Sequence, residues 1–372
     1  MRREIMGRLR QWKDRKGRKP LIPCGAPQVG KTWAARQFGK ECFAQTAWFN
    51  FKENRHLRSL FSSGIDIGRI LLGLRIESGI DVAMGDVLVV FDEVDEDPLA
   101  LLSLKRFYES APQIPIIATR SLTGLSLQSS ATFPEDQVEL MPMRPLSFSE
   151  FLLALGNDDL QKLIASRDWP LISAMEQAII DLLRIYLFVG GMPEAVSAFC
   201  NGMDFNAARK AQVRLLDSYA GEIKKRLWNV ADAHRALMVW QSIPSQLSKE
   251  NKKLFYSRME RGGRCKDYAA AIDLLAGAGL VHKMSCVGKP DLPPAGSEGA
   301  PFKLYGLDAG LLCAQLSLDP RVLLEGNRIF NEFNGALAQQ FVLQELVAAG
   351  AERIFYWTSG SGSAVIDFLV QH

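Results

Sequence analysis

The segment from Gly25 to Thr32 reads G-A-P-Q-V-G-K-T and matches the phosphate-binding pattern G-x-x-x-x-G-K-[ST]. An apolar run precedes it and a helix-forming run follows it, which is the strand–loop–helix context that the pattern requires. Glycines at 25 and 30 permit backbone angles and a close approach that a Cβ would forbid, so successive N–H groups can surround a triphosphate at the start of a helix. The pattern therefore predicts a nucleotide-binding α/β domain; the alternative is an ordinary glycine turn between a strand and a helix.

Each part of this loop has an expected role toward ATP and Mg²⁺, which are the expected cofactors. Lys31 should reach the β- and γ-phosphates, and the hydroxyl of Thr32 should bind Mg²⁺. The other predicted nucleotide-binding residues are Gly25, Ala26, Pro27, Gln28, Val29, Gly30 and Trp33.

A second pattern is the apolar run from Asp86 to Phe91, which ends in the carboxylates of Asp92 and Glu93. Such a run is typical of a parallel strand buried on both faces, and α/β sheets bind their ligands at the carboxyl ends of such strands. Asp92 is expected to hold Mg²⁺ through the water shell of the metal, and Glu93 to act as general base on the attacking water. The alternative is that these acids simply begin a loop, as we expect of Asp97, a helix N-cap before Pro98.

Composition limits the class of protein. The chain has 372 residues and 48% hydrophobic content, which is room for two or three domains, and a net charge of only +3 does not demand a polyanionic partner. No run reaches the 18 or so apolar residues of a membrane span, and no secretory signal is evident, so a cytoplasmic location is expected. The six cysteines are scattered singly, which predicts neither a disulfide nor a zinc site.

The basic charge is concentrated in residues 1–20, which contain nine Lys and Arg residues against Glu4 and Asp14. Ile5, Met6, Leu9 and Trp12 recur at helical spacing and should share one face. Two interpretations stay open: contact with nucleic acid or phosphate, or a helix that docks on the protein and exposes a basic back.

Further strands and helices alternate after the loop, which predicts βαβ units and a covered parallel sheet. Strands are expected at 47–51, 114–119 and 137–141, and helices at 67–76 and 99–108. Ser147 is expected to cap a helix that begins at Phe148. The strand count and order fit a P-loop ATPase core.

Several blocks resemble, in order, those of the prokaryotic AAA-type ATPase family that carries a C-terminal domain of unknown function called DUF4143. The match runs nearly end to end, and the blocks are Arg18–Gly25 with Gly30–Thr32, Phe91–Val94, Pro145–Phe151, Gly190–Val196, Ser245–Asn251 and Phe302–Leu312. Two positions depart from the family: Pro27 stands where arginine is common, and Arg120-Ser121 stands where Gly-Ser is common.

The resemblance implies an α/β fold with a P-loop NTPase core of the AAA+ or ASCE type, followed by three further parts. The implied division is an ATPase core with the basic N-terminal helix at 1–145, a helical lid at 146–205, a winged-helix-like module at 206–325 and an incomplete PD-(D/E)XK nuclease-like segment at 326–372.

Arg120 and Ser121 are the expected catalytic residues after the fourth strand. Ser121 or Thr119 would contact the γ-phosphate or the lytic water, and Arg120 would stabilise charge as an arginine finger does. The alternative is a surface arginine in a loop. Arg144 and Arg184 are rival candidates that the sequence does not rank.

The winged-helix-like module is expected to contain helices near 236–243, 252–259 and 268–275, followed by a strand at 280–284. Its third helix would bind a DNA major groove, with phosphate contacts from nearby basic residues; alternatively, the apolar run 269–280 packs on the ATPase core. The basic residues are Arg258, Arg261, Arg264 and Lys266.

The nuclease-like segment lacks most of a nuclease site. Asp367 matches the metal-binding strand, but Gln339 occupies the position of the helical Glu, and the sequence given ends at His372 before an E-x-K strand. We therefore expect no nuclease activity. Two classes of function remain: an Mg²⁺-dependent ATPase, with a homo-oligomer as a source of a trans arginine, or a nucleotide-gated DNA-binding or scaffold module with little turnover.

Overall fold

The computed structural model describes residues 1–62, 64–120, 135–226, 230–248, 264–288, 300–321, 328–351, 353–359 and 364–371. The chain divides into an N-terminal unit, Arg2–Met143, and a C-terminal unit, Arg144–His372. None of the helices in the described ranges is long and apolar enough to cross a membrane.

The N-terminal unit is built on a parallel sheet. Its strands are β1 (Leu21–Cys24), β2 (Gln45–Asn50), β3 (Val87–Asp92), β4 (Ile116–Ala118) and β5 (Glu139–Pro142), in the order β2-β3-β4-β1-β5. Its helices are α1 (Ile5–Asp14), α2 (Lys31–Cys42), α3 (Arg55–Ser62), α4 (Ile67–Ser78) and α5 (Pro98–Ser110), with 3₁₀ turns at Val94–Glu96 and Glu135–Gln137.

Strand β3 lies inside this sheet, as its apolar sequence predicts. All six residues of β3 are buried, because β2 and β4 flank it and helices cover the sheet. The three strands expected at 47–51, 114–119 and 137–141 are present, with ends that differ by one or two residues. Asp97 caps α5, as expected, since its side chain accepts a hydrogen bond from the Leu99 N–H at 3.0 Å.

The first helix, α1, docks on the N-terminal unit. Ile5, Met6, Leu9 and Trp12 are all buried, as their spacing predicts, and the Trp12 ring lies 6.2 Å from the ring of Phe38 on α2. The buried apolar face favours the second interpretation of the basic N-terminus, a helix that docks on the protein.

The C-terminal unit begins with helices and ends with a small sheet. The helices are α6 (Phe148–Ala154), α7 (Asp158–Ser166), α8 (Trp169–Ala174), α9 (Glu176–Val189), α10 (Pro193–Cys200), α11 (Phe205–Arg226), α12 (Val230–Leu247), α13 (Cys265–Gly277), α14 (Ala309–Gln315) and α15 (Arg328–Ala348). The strands are β6 (Val281–Val287), β7 (Phe302–Gly306), β8 (Ile354–Thr358) and β9 (Val365–Val370). Ser147 caps α6 in a capping box with Glu150, which confirms the predicted helix start.

The small sheet has the order β7-β6-β8-β9. Strand β6 pairs with β7 in antiparallel fashion and with β8 in parallel fashion. Strands from the expected winged-helix-like range and from the expected nuclease-like range therefore share one sheet. Helices α12 and α13 cover the first and third expected helices, while the second, at 252–259, lies outside the described residues.

Three helices of this unit meet around the buried carboxylate of Asp308. One oxygen caps α14 by accepting from the Leu311 N–H at 3.0 Å. The other accepts from the Gly191 N–H at 2.6 Å and from Nε2 of Gln344, on α15, at 3.3 Å. The sequence blocks at 190–196 and 302–312 therefore meet at this carboxylate.

Candidate nucleotide site

The loop between β1 and α2 has the backbone that its glycines predict. Gly25 has φ +143°, and a Cβ there would lie 2.1 Å from the carbonyl oxygen of Met143, so a side chain cannot be accommodated without a shift. Gly30 has φ +101°, and Gln28 also adopts a left-handed φ of +62°. This curved backbone, which leads directly into the N-terminus of α2, fits a phosphate group.

The ammonium of Lys31 lies inside the curve of this loop. Its Nζ donates hydrogen bonds to the carbonyl oxygens of Gly25 and Ala26, each at 2.9 Å. Burial lowers the pKa of Lys31 to about 8, and the nearby carboxylate of Glu93 opposes that shift. A half-buried cation at the start of a helix is placed to receive an anion.

Asp92, at the end of β3, is the centre of a polar cluster. It is buried, and its Oδ1 accepts from the hydroxyl of Thr119 and lies 3.4 Å from the hydroxyl of Thr32. Its Oδ2 accepts from the side-chain amide of Asn50 at 3.1 Å. Asn50 is paired in register with Asp92 on the neighbouring strand. The cluster thus brings together the two residues predicted to hold Mg²⁺, and adds Asn50, for which no role was predicted.

Glu93 directly follows this cluster and has an unusual backbone. It adopts φ +57°, a left-handed conformation that costs a residue with a side chain about 1–3 kcal/mol. Its N–H donates to the hydroxyl of Thr119 at 3.2 Å, which fixes the turn at the end of β3. Backbone strain of this kind is concentrated at functional sites. Here the left-handed residue ends β3 and begins the 3₁₀ turn that follows it.

The structure separates the other candidates. Arg120 is buried, in contrast to the surface arginine of the alternative interpretation; burial lowers its pKa and Asp95 opposes the shift. Arg184 forms a surface ion pair with Asp181 at 3.1 Å on α9. Arg144 lines a cavity in the C-terminal unit. Ser121 lies outside the described residues.

Trp33 is on the first turn of α2, with 40% of its surface exposed. In the nuclease-like segment, Gln339 accepts from the Tyr305 hydroxyl at 2.9 Å, and Asp367 pairs with Lys303 at 3.3 Å. The described part of the chain contains no group of three or more His, Cys, Asp or Glu residues arranged to hold a metal.

Six basic side chains of the N-terminal segment contact the N-terminal unit itself. The buried guanidinium of Arg3 donates to the carbonyl of Val29, within the phosphate loop, at 3.2 Å. The other contacts are Arg8 to Pro142, Arg10 to Glu41, Lys13 to Cys42 and Asp86, Arg15 to Glu139, and Arg18 to Gln113. Much of the basic charge therefore serves docking, and Arg3 ties α1 to the loop.

We expect Arg3→Ala to lower the free energy of unfolding by about 1–3 kcal/mol, because it leaves the buried Val29 carbonyl without this donor. Urea denaturation measures the change. Arg10→Ala is the matched control on the same helix: its ion pair with Glu41 is exposed, so the variant should unfold like the wild type. Equal destabilisation in the two variants would contradict the role of Arg3.

The profile of the AAA domain family matches residues 17–152, which include the loop, Asp92 and Glu93. This part of the chain is therefore similar to AAA-type P-loop ATPase domains. Residues 180–322 match a domain of unknown function, DUF8612, in place of the expected DUF4143. No curated protein shows significant similarity to the chain.

The fold is similar to that of a solved ATPase structure. The Walker-type ATPase PABY2304 of Pyrococcus abyssi is 14% identical, with a TM-score of 0.51 over 85% of this chain and 95% of that chain. The Aeropyrum pernix Orc1 protein in complex with DNA is also 14% identical, with a TM-score of 0.33 over 93% of this chain and 95% of that chain. At 14% identity, the likeness to the Pyrococcus abyssi structure concerns the fold alone.

Proposed function

We propose that the chain is an Mg²⁺-dependent ATPase that uses hydrolysis as a conformational switch. The observation that carries the proposal is the convergence of Lys31, Thr32 and Asp92 at the carboxyl end of the parallel sheet, with Glu93 next to them. This arrangement supplies a phosphate cradle, oxygen ligands for a hard cation and a general base.

Each residue of the proposed site has a distinct role in ATP hydrolysis. The loop N–H groups and Lys31 bind the β- and γ-phosphates, while the Thr32 hydroxyl and Asp92 would hold Mg²⁺, which when bound would supply positive charge against the phosphate oxygens. Asn50 and Thr119 fix the carboxylate of Asp92, and Glu93 accepts the proton of the attacking water. Arg120 or an arginine of a second copy supplies the remaining positive charge, and Ser121 contacts the γ-phosphate or the attacking water. If the second copy supplies the arginine, turnover per chain should rise with protein concentration.

Lys31→Ala should weaken ATP binding about ten- to a hundredfold, since a charged hydrogen-bond donor to phosphate contributes about 1.5–3 kcal/mol. The affinity of the wild type should also fall as the pH rises above about 8, where Lys31 loses its charge, whereas Lys31→Arg should show no such fall. Calorimetric titration with ATP and Mg²⁺ measures both effects.

Lys40→Ala, at the exposed end of α2, is the control for the loss of one positive charge. Equal ATP affinity in Lys31→Ala, Lys40→Ala and the wild type would contradict the assignment of the loop as the phosphate-binding site.

A second candidate function is a nucleotide-gated DNA-binding module with little turnover. Two observations support this candidate: the order α12, α13, β6, β7 is compatible with a winged-helix-like module, and Arg264 and Lys266 are exposed at the start of α13. The same ATPase assay with duplex DNA separates the two. Wild-type binding of ATP without hydrolysis, together with DNA affinity that depends on ATP, would favour this second function.

A further inference from the structure

The C-terminal unit contains a cavity of about 450 Å³ that has no part in the nucleotide site. It is bordered by the start of β6, the start of β8, the end of α15 and Arg144 at the beginning of the unit. Small-molecule sites in proteins commonly have volumes of about 300–1,000 Å³. The cavity is therefore large enough for an organic ligand of modest size.

The residues that line this cavity include both basic and apolar side chains. Arg144, His282 and Arg353 all border it. Lys283 borders it as well, but its ammonium pairs with Asp273 at 3.3 Å. Among the lining residues within the described ranges, none is acidic; Glu352 lies outside those ranges. The apolar part is formed by Val281, Met284, Leu343, Val347, Ile354 and Phe355.

His282 reports on the electrostatics of the cavity. Burial and the charge of Arg144 lower its pKa to about 4, so the imidazole is neutral near pH 7. A neutral imidazole can still donate one N–H, and guanidinium groups such as those of Arg144 and Arg353, which also line the cavity, match the oxygens of a phosphate group. An anion that neutralises Arg144 would remove one of the two effects that depress this pKa.

We propose that this cavity binds a small organic phosphate, with the phosphate group held by Arg144, Arg353 and His282 and the organic part against Val347 and Phe355. Two guanidinium groups favour a dianion over a single carboxylate. The apolar part of the lining favours an organic phosphate over the charged, continuous backbone of a nucleic acid. The proposal is independent of the nucleotide site in the N-terminal unit.

The test uses the full chain with phenyl phosphate as the probe and the imidazole signals of His282 followed by NMR between pH 5 and 8. In the free protein His282 should stay neutral over this range, and with phenyl phosphate its titration should move into the range. The shift should be the same in Lys31→Ala, which separates this cavity from the phosphate loop. Arg144→Gln and Arg353→Gln should each weaken the binding of phenyl phosphate about ten- to a hundredfold.

Arg321→Gln, an exposed arginine outside the cavity, is the matched control and should bind like the wild type. Circular dichroism establishes that each variant is folded; because Arg353 is exposed, its replacement keeps the test valid even if Arg144→Gln does not fold. A His282 signal that saturating phenyl phosphate leaves unchanged would overturn the proposal. So would a response to oligonucleotides alone, or an equal response in the control and the two cavity variants.

Discussion

Glu93→Gln should lower ATP turnover by about 10²- to 10⁴-fold and leave ATP affinity close to that of the wild type. A glutamine has nearly the same shape but cannot accept the proton of the attacking water, and general-base catalysis contributes an effect of this size. The left-handed turn at Glu93 and the hydrogen bond from its N–H to the Thr119 hydroxyl do not involve the Glu93 side chain, so the substitution should preserve both. Single-turnover hydrolysis and nucleotide titration measure the two quantities separately.

Glu96→Gln is the matched control three residues further along the chain. Its carboxylate pairs with Arg58 at 3.3 Å, and its loss should leave turnover nearly unchanged. If Glu93→Gln hydrolysed ATP at the wild-type rate, Glu93 would not be the base. If it bound ATP weakly, the Glu93 carboxylate would instead serve the binding of nucleotide through its proximity to Lys31.

The parts of the site that could be predicted are those written locally in the sequence. The loop from Gly25 to Thr32 requires particular residues at a fixed spacing, and Asp92 ends an apolar run that only a buried strand explains. Asn50 was not predicted to be part of the site because its role depends on register. It contacts Asp92 only because β2 and β3 pair so that these two residues are opposite each other.

The N-terminal segment illustrates the same limit. Its spacing predicts the buried face with Leu9 and Trp12, but the sequence left open whether its basic residues contact nucleic acid or the protein. The partners of Arg3, Arg8 and Arg15 lie 26, 134 and 124 residues away in the chain. Contacts over such separations follow from tertiary packing, which the local pattern does not record.

In the C-terminal unit, the sequence predicted α12, α13 and β6 as parts of one module. It gave no signal that β8 pairs with β6, about 70 residues earlier in the chain, because parallel pairing leaves no local pattern in either strand. The need for glycine at 190 and 191 was likewise hidden, since a Cβ would meet the side chain of Asp308 at the first position and the backbone of Leu146 at the second.

Gly190→Ala should destabilise the C-terminal unit by about 3–5 kcal/mol. Gly190 has φ +75° and ψ −171°, a region that is essentially restricted to glycine. An alanine held in this conformation would cost about 1–3 kcal/mol of stability. A Cβ would also lie 2.1 Å from Oδ1 of Asp308, which is held by buried donors and cannot move away without losing them. Each buried hydrogen bond lost adds about 1–3 kcal/mol.

Asp308 makes this cost greater at neutral pH. Burial raises its pKa to about 6, and the amide donors around it oppose that rise. Above pH 6 the group is ionised, so displacement by the new methyl group would leave a buried carboxylate with fewer donors. Loss of donors to the carboxylate would raise the pKa of Asp308 further in the variant. Because a carboxyl group with a raised pKa loses its contribution to stability as the pH rises through that pKa, the variant should lose more stability at pH 7.5 than at pH 5.

The control for this prediction is Gly202→Ala. Gly202 also has a positive φ, +114°, but a Cβ there would meet nothing within 4 Å, so the variant isolates the backbone term. It should lose about 1–3 kcal/mol, with no dependence on pH between 5 and 7.5. Hydrogen exchange at the Gly191 and Leu311 amides, both donors to Asp308, measures the stability of the C-terminal unit around this carboxylate. Equal protection of these amides in Gly190→Ala and Gly202→Ala would show that the contact with Asp308 does not hold the helices α9 and α14 together.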